Sequence, residues 1–256
     1  MRPHSTKATA IALIAAASMC FIFASSVQAQ SLATSSTTKF QKAQMAVEHQ
    51  IIARQVQLAL LGTEVADAAN VTSSDKTALV TIITDEQAAL VTDAANAAAA
   101  TTFVELQTVQ KAVVQDERVY VVVTAQVGLV ISADNATVTE AGYTALVTEL
   151  TPFVAELGST HATTLLGDVT SYVTAATSLT TGVSTEALGL LPSGYPGNES
   201  QTKTWTTQLG QVWKDLAQAK QDVKEIEAIA LNTHRLHIFK PVSTTLSTTT
   251  TTTTAA

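Results

Sequence analysis

The sequence predicts an all-α protein, an elongated antiparallel helical bundle with coiled-coil-like hairpins over residues 39–236. Apolar residues make up 46% of the chain and are mostly Ala, Val and Leu, while aromatic residues reach only 5%. Two long stretches place apolar residues at alternating spacings of four and three, which is the heptad pattern of packed helices. A third stretch, 118–133, is almost wholly apolar and about three times the usual strand length, so it also fits a helix.

Residues 1–29 have the pattern of a secretory signal peptide. Arg2 and Lys7 give it a basic start, the run 8–24 is apolar, and the small residues up to Ala29 suit a cleavage site. We therefore expect cleavage after Ala29 and a secreted or extracytoplasmic protein, at the cell surface or in the medium.

The predicted mature chain is acidic and has no cysteine. The single Cys20 lies in the signal peptide, which excludes disulfides, a thiol nucleophile and a thiolate metal site. Two of the 14 basic residues and none of the 21 acidic residues precede Gln30, which leaves 12 basic against 21 acidic residues and a formal charge of −9. This charge argues against general affinity for nucleic acid or for anionic membrane surfaces.

Residues 30–38 are polar and expected to be flexible, and the first helix is predicted over about 39–69. Asn70 suits the end of this helix and Ser74 the cap of the next, which is predicted over about 75–97. So short a connection predicts an antiparallel hairpin. The seam of the first helix consists of Phe40, Gln44, Val47, Ile51, Arg54, Leu58, Leu61 and Val65.

A break is predicted near 98–102, followed by a central helix over about 102–134. The second half of this helix is apolar nearly all round, so it must be buried on several sides or lie in a membrane. Its most apolar part, 119–133, has fifteen residues, whereas about 20 are needed to span a bilayer. We expect the central helix of the bundle, with membrane insertion as the alternative.

Further boundaries are predicted from caps, proline and glycine. The four residues from Thr137 fit a capping box, S/T-x-x-E, which predicts that a new helix begins there. Pro152 would kink that helix or start another. A boundary is expected at 158–160, and then a helix over about 161–190 with a second break near 180–184.

The segment LLPSGYPGN (190–198) is the clearest loop in the chain. Asn198 can cap a last helix, predicted over about 199–236, and the Thr-rich tail 237–256 is expected to be disordered. The seam of the last helix is uninterrupted and consists of Trp205, Leu209, Val212, Leu216, Ala219, Val223, Ile226 and Ala230.

The sequence assigns no residue a catalytic, cofactor-binding or metal-binding role. His234 and His237 have a spacing that can bind a metal, but no acidic or thiol partner completes the set nearby, and the helix dipole alone favours them. His49 and His161 are isolated on predicted helices. Residues 116–118, Asp-Glu-Arg, are interpreted as a polar helix face rather than an acid–base pair. The chain has no G-x-S-x-G elbow and no Gly-rich phosphate loop.

Three N-x-S/T sequons begin at Asn70, Asn135 and Asn198. They would be glycosylation candidates in a eukaryotic secreted protein. Because all three lie at predicted helix junctions, where Asn, Ser and Thr serve as caps, we prefer capping as their explanation.

Three segments resemble a group of exported actinobacterial helical proteins: ERVYVVVTAQVGLVISADN (117–135), LLPSGYPGN (190–198) and WKDLAQAKQDVKEI in the last helix. Those proteins carry an RVYVLV-type central helix and a late Pro-Gly-Tyr loop, and the resemblance covers most of 40–232. It implies bacterial export and a helical fold, and it implies no chemistry. Because Ala125 and Gln126 stand where relatives often have proline, no kink is carried over.

These observations favour a non-enzymatic extracytoplasmic structural or interaction protein, whose partner is an unidentified protein or cell-envelope component. One alternative is a membrane-inserting or pore-forming bundle that uses 119–133. Another is a binder of hydrophobic surfaces or small apolar ligands, with Tyr120, Tyr143 or Tyr195 at its mouth. An enzyme is not expected, because no set of acid, base and nucleophile emerges. No cofactor and no nucleic-acid partner are predicted, and the oligomeric state is left open.

Overall fold

The computed structural model describes residues 34–191 and 194–232, with the side chains of 34–37 and 115–119 left out of the description. This part of the chain is all-α, which confirms the predicted fold class, and its packing is that of helical bundles. Its helices are α1 (Thr34–Asp67), α2 (Ser73–Ala99), α3 (Phe103–Leu157), α4 (Thr160–Thr180), α5 (Val183–Leu188) and α6 (Glu199–Asn232). The predicted signal peptide, 1–29, and the tail, 237–256, lie outside the described residues.

The chain divides into two compact units, and α3 contributes to both. The first unit contains the described residues of Met1–Ala69, Ser73–Val127 and Leu190–Gly197, and therefore α1, α2 and the first part of α3. The second unit contains Asn70–Thr72, Gly128–Gly189 and the described residues of Asn198–Ala256, and therefore the rest of α3 with α4, α5 and α6.

In the first unit, α1 and α2 run in opposite directions, as predicted. Near the start of α1, Gln44 Nε2 donates to the carbonyl of Ala97 at the end of α2, at 2.8 Å. Near the end of α1, the carbonyl of Ala66 accepts from Lys76 Nζ at the start of α2, at 3.1 Å. The buried members of the predicted α1 seam are Val47, Ile51, Arg54, Leu58, Leu61 and Val65.

The first part of α3 runs parallel to α1. The ring of Phe40 meets the ring of Phe103 edge to face, with 5.4 Å between centroids. Further along both helices, the guanidinium of Arg54 donates to the carbonyl of Val113. The first unit is therefore an up-down-up arrangement of three helices.

In the second unit, α3 and α4 are antiparallel. Thr180, at the end of α4, bonds Glu140, whereas Ala162, near its start, shares an apolar cluster with Val154. This cluster contains Leu150, Val154, Ala162, Leu165, Val169, Val173, Ala219, Val223 and Ile226.

The last helix, α6, completes this unit and runs antiparallel to α4. His161 at the start of α4 lies beside Glu225, and Ala176 near its end clusters with Val212. The predicted seam of α6 is confirmed, since all of its members are buried: Trp205, Leu209, Val212, Leu216, Ala219, Val223, Ile226 and Ala230. The second unit thus repeats the up-down-up order of the first.

One helix, α3, covers the region where the sequence predicts several boundaries. The predicted helix start at the Thr137 capping box is wrong. Thr137 Oγ1 donates to the carbonyl of Ala133 in its own helix, at 3.0 Å. Glu140 is buried and accepts a hydrogen bond from Thr180 of α4, so it does not reach back to a cap.

Pro152 lies inside α3, so it does not start a new helix, which was one of the two predicted outcomes. The helix continues through Pro152 without the one main-chain hydrogen bond that its missing N–H cannot donate. Burial of Leu150 and Val154 on either side of Pro152 keeps this part of the helix packed in the apolar cluster.

Two helices begin earlier than the sequence predicts. Helix α1 begins at Thr34, inside the segment 30–38 that is expected to be flexible. Helix α2 begins at Ser73, so Ser74 lies inside it and does not precede it as a cap. Helix ends are set by local hydrogen bonds, and a one-residue difference at Ser74 is within the usual spread of such predictions.

The remaining breaks are confirmed. The break near 98–102 separates α2 from α3. At the boundary 158–160, Gly158 takes a positive φ of 61° and Ser159 caps α4. The break near 180–184 contains Gly182 with a φ of 84°, a conformation that favours glycine.

Candidate functional site

The central apolar run contributes buried residues to both units. Val122 and Val127 in the first unit, and Val130 in the second, are at most 2% exposed. By length and composition, Tyr120–Leu157 could cross a membrane, but half of its most apolar window is buried in the structure, and the core helix of a soluble protein passes the same test.

Exposed apolar side chains concentrate in the first unit. Among the described residues, eleven large exposed apolar side chains belong to the first unit and two, Trp213 and Leu231, to the second. Those of the first unit are Met45, Ile52, Val56, Leu60, Val80, Val91, Phe103, Val104, Val114, Val121 and Leu191. Because isolated exposed apolar residues are normal in proteins, their arrangement matters more than their number.

Four of these side chains form a stripe along the outward face of α1, called the α1 stripe below. They are Met45 (50% exposed), Ile52 (45%), Val56 (54%) and Leu60 (64%). Their spacing keeps them within about 80° of the helix circumference and over about 22 Å of its length. From 50 to 63 the only charged residue is Arg54, which is buried against Val113. This length of the face therefore shows solvent only apolar and uncharged polar groups.

The signal for the α1 stripe is already present in the sequence. Its members stand outside the heptad seam and share one face of the helix, and three of them lie in the segment 50–63, which has no outward charge. The heptad seam does not include them, because it identifies only the residues that face the core.

The turn between α2 and α3 and the first two residues of α3, together residues 100–104, form a second apolar feature of the first unit, called the α2–α3 corner below. Phe103 is 46% exposed and Val104 is 73% exposed. The Phe40 ring of α1 packs edge to face on Phe103 and so belongs to the same surface.

The carboxylate of Glu105 fixes the backbone of this corner. Its Oε2 accepts hydrogen bonds from the main-chain N–H of Thr101 at 2.7 Å and of Thr102 at 3.1 Å. The hydrogen bond from the Thr101 main chain is the largest cause that holds the pKa of Glu105 below its ordinary value. The Thr102 hydroxyl in turn accepts from the Glu105 N–H at 3.2 Å, so the two residues form a reciprocal capping box.

The second unit contains a polar cleft of about 260 Å³ beside the end of α4 and the start of α5. It is lined by Asp134, Thr137, Glu140, Thr177, Thr180, Thr181, Gly182, Ser184 and Thr185. Both carboxylates are buried and accept short hydrogen bonds, Asp134 from the Ser184 hydroxyl and Glu140 from the Thr180 hydroxyl, each at 2.6 Å. Asp134 also accepts from the main-chain N–H of Thr72 at 3.1 Å. Asp134 of α3 thus bonds residues 70–72 and α5, and Glu140 of α3 bonds the end of α4.

The candidate metal ligands from the sequence are dispersed. His234 and His237 lie outside the described residues, and His49 is exposed on α1. His161 Nε2 lies 2.7 Å from Glu225 Oε1, and both side chains are exposed. Within the part of the chain that the structure describes, no group of three or more His, Cys, Asp or Glu could hold a metal ion. Residues 116–118 lie in α3, and their side chains are outside the description.

The tyrosines considered as a ligand mouth are each half-buried. Tyr143 packs against both apolar clusters of the second unit, and burial raises its pKa. Tyr120 and Tyr195 belong to the first unit.

The sequons differ in their surroundings. Asn70 is exposed in the turn between α1 and α2, and Asn198 directly precedes α6. Asn135 lies inside α3, so capping as the explanation of all three sequons is wrong for this residue. Its amide oxygen instead accepts a hydrogen bond from Asn70 Nδ2 at 2.8 Å.

No family model, no curated protein and no solved structure matches the chain. The function is therefore argued from the geometry of the α1 stripe, the α2–α3 corner and the polar cleft.

Proposed function

We propose that the protein is a non-enzymatic extracytoplasmic interaction protein that adsorbs to apolar surfaces through the α1 stripe. The observation that carries this proposal is a helix face about 22 Å long with four half-exposed apolar side chains and no exposed charge from 50 to 63. The extracytoplasmic location is supported by the signal-peptide pattern of 1–29.

The size of the apolar gain suits reversible adsorption. Each stripe residue is about half exposed, so covering it gains about half of the 1.5–3 kcal/mol that full burial of such a side chain is worth. Four residues together give roughly 3–6 kcal/mol, from which the cost of immobilising the protein must be subtracted. Weaker contacts between the rest of the first unit and the same apolar surface add to this gain.

An extended apolar surface fits the stripe better than a protein groove. Protein interfaces are usually anchored by Trp, Tyr or Arg in a central pocket, and the α1 stripe has none of these on its outward face. The first unit also exposes apolar side chains on α2 and α3, such as Val91 and Val114. Burial of Val122 and Val127 supports a core role for the run 119–133, so the adsorbing surface is assigned to α1.

The test is adsorption of residues 30–256 to alkane droplets in water, with the double variant Ile52→Gln/Val56→Gln. Glutamine keeps the helix propensity and adds no charge, so the substitution removes only apolar contact area. We expect the partition coefficient to fall by about ten- to a hundredfold, while the far-UV circular dichroism spectrum stays unchanged.

The matched control is Val80→Gln/Val91→Gln, which makes the same change at two exposed valines of α2 in the same unit. This control should adsorb within about twofold of the unchanged protein, a change of less than 0.5 kcal/mol. An equal loss in both double variants would refute the assignment to α1, and no adsorption of the unchanged protein would refute the function itself.

A further inference from the structure

We propose that the outward face of α1 pairs with the same face of a second copy of the chain, in an antiparallel two-fold dimer. The pairing uses most of the α1 stripe and extends beyond it in both directions. The dimer is argued from α1 itself, whereas its competition with adsorption rests on the proposed function.

Helix α1 has a second seam with heptad spacing, called the outward seam below, on the face opposite its buried seam. It runs from Lys42 to Ala66 at spacings that alternate between three and four without interruption, and all of its positions are exposed. Met45, Ile52 and Val56 of the α1 stripe belong to it. Such a seam is the pattern by which two helices pack side by side, and this packing needs no central pocket.

The outward seam is symmetric about the middle of α1. Met45 stands seven residues before Ile52. Thr63 stands seven residues after Val56. An antiparallel pair with its two-fold axis between 52 and 56 therefore brings each seam residue before the axis against its counterpart after the axis. Each facing pair joins a larger side chain to a smaller one, so the two helices can stay evenly spaced along the interface. The facing pairs are Ile52 with Val56, His49 with Ala59 and Met45 with Thr63.

The charges at the two ends of the seam have the same symmetry. Lys42 stands ten residues before Ile52, and it is exposed. Asp67 stands eleven residues after Val56, and it is also exposed. The register that matches the side chains of the seam therefore places Lys42 of each copy beside Asp67 of the other, at both ends of the interface. A parallel pair would instead place like charges side by side, which is unfavourable. The agreement between the two symmetries selects a second copy as the partner and the antiparallel orientation.

Other charges of the first unit leave this complementarity in place at the acidic end. Lys76 of α2 bonds the carbonyl of Ala66 at 3.1 Å, but Asp75 stands beside it in the sequence. Glu64 of α1 adds a further exposed negative charge near Asp67. The acidic residues at this end therefore outnumber the single lysine.

The basic end of α1 is separated from the carboxylate of the α2–α3 corner. Phe40, whose ring packs on Phe103, stands two residues before Lys42 and so points about 160° away from it around the helix. The corner, with Glu105, thus meets α1 on the side away from the outward seam. Glu48 of α1 is half-buried, and in the antiparallel register it lies opposite the stretch 50–63 of the second copy, where no charge faces outward.

The first experiment is sedimentation equilibrium of residues 30–256 over a range of concentrations. We expect the weight-average mass to rise from that of a monomer towards that of a dimer, and a monomer up to about 1 mM would overturn the proposal. Lys42→Glu and Asp67→Lys should each raise the dissociation constant about tenfold, because each makes two attractive contacts of the dimer repulsive. The double variant Lys42→Glu/Asp67→Lys should return to within about threefold of the unchanged protein.

The matched control is Lys220→Glu, which makes the same charge change at an exposed position of α6. It should alter the dissociation constant by less than about twofold. A double variant as weak as the single variants, or a control as weak as Lys42→Glu, would overturn the pairing of Lys42 with Asp67.

The second experiment tests the orientation by oxidative cross-linking, since residues 30–256 contain no cysteine. Met45→Cys mixed with Thr63→Cys should form a disulfide-linked dimer. Met45→Cys alone should not, because its two copies lie about 27 Å apart along an antiparallel pair. Cross-linking of Met45→Cys with itself as fast as in the mixture would overturn the antiparallel dimer.

The linked dimer also tests the competition with adsorption. It covers Ile52 and Val56, so it should adsorb to alkane droplets at least about tenfold more weakly than the same sample after reduction of the disulfide. Undiminished adsorption of the linked dimer would overturn the competition. If the unchanged protein does not adsorb at all, the proposed function fails, whereas sedimentation and cross-linking still decide the dimer.

Discussion

In the first unit, buried side-chain donors bond main-chain carbonyls, whereas in the second unit two buried carboxylates bond side-chain hydroxyl groups. In the first unit, the buried guanidinium of Arg54 donates to the carbonyl of Val113. The buried amide of Gln126 donates to the carbonyl of Leu190 at 3.1 Å. Neither contact depends on the identity of the accepting residue, because every residue has a carbonyl group.

In the second unit, two buried carboxylates accept from hydroxyl groups, and one of them, Asp134, also accepts from the main-chain N–H of Thr72. Asp134 pairs with Ser184, and Glu140 pairs with Thr180. Each pair requires two particular side chains, far apart in the sequence, to meet at 2.6 Å. Hydrogen bonds to charged groups are also worth more than those between neutral groups.

The two units also differ in the number of large apolar side chains that their surfaces expose. Eleven exposed large apolar side chains of the described residues lie in the first unit and two in the second. We infer that the second unit uses its polar pairs to hold one arrangement of helices, whereas the first unit exposes more large apolar side chains. This difference agrees with the proposal that the first unit is the one that adsorbs to apolar surfaces.

The largest effect is expected in the core of the first unit, from Val122→Asp. Val122 is 2% exposed, and an unpaired carboxylate there should cost about 4 kcal/mol or more of unfolding free energy. Val121, its neighbour in α3, is 47% exposed, so Val121→Asp should change that free energy by at most about 0.5 kcal/mol. Urea denaturation followed by far-UV circular dichroism checks both values. Similar midpoints for the two variants would contradict the assigned buried face of α3.

The parts of the fold that the sequence predicts well are those with a local pattern. The seam of α6 needs only apolar residues at spacings of four and three, and all eight predicted members are buried. Glycine breaks were also predictable, because Gly158 and Gly182 take positive φ values that other residues avoid.

The parts that could not be predicted depend on distant partners. Thr137 and Glu140 match a capping box when only neighbouring residues are considered. In the structure Glu140 is buried and its partner is Thr180, forty residues away in the chain. The sequence alone does not distinguish a polar residue whose hydrogen-bond partner lies on another helix from one that caps its own helix. The polar cleft was missed for the same reason.

A moderate effect is expected in the second unit from Thr180→Val, which removes the hydroxyl and keeps the shape of the side chain. The buried carboxylate of Glu140 would lose a donor at 2.6 Å, which should cost about 1.5–3 kcal/mol of unfolding free energy. Both tryptophans of the chain, Trp205 and Trp213, lie in this unit. Urea denaturation followed by tryptophan fluorescence therefore reports on the unit that contains the substitution.

The control for this variant is Thr174→Val on the same helix. Thr174 is exposed, and its hydroxyl donates only to the carbonyl of Thr170 one turn earlier, at 2.8 Å. We expect a change within about 0.5 kcal/mol. If the two threonine variants were equally stable, the Glu140–Thr180 pair would have no special role in the second unit.

The smallest effects concern two carboxylates of the first unit whose pKa values shift in opposite directions. Burial, and then the charge of Asp85, raise the pKa of Glu86, whereas hydrogen bonds from the corner lower the pKa of Glu105. Folding therefore favours the protonated form of Glu86 and the ionised form of Glu105. The contribution of Glu86 is full below its unfolded pKa and is lost as the pH rises through its raised value. The contribution of Glu105 is full above its unfolded pKa and is lost as the pH falls through its lowered value.

These signs predict opposite results for two substitutions that make the same chemical change. At neutral pH, Glu86→Gln should raise the unfolding free energy, because an uncharged amide replaces a half-buried carboxylate. Glu105→Gln should lower it, because an uncharged amide oxygen is a weaker acceptor for the main-chain N–H groups of the corner. Both differences from the unchanged protein should shrink as the pH falls and the native carboxyl groups become protonated. Urea midpoints across a pH series measure this convergence, and shifts of the same sign at neutral pH would show that the two carboxylates are not held in different environments.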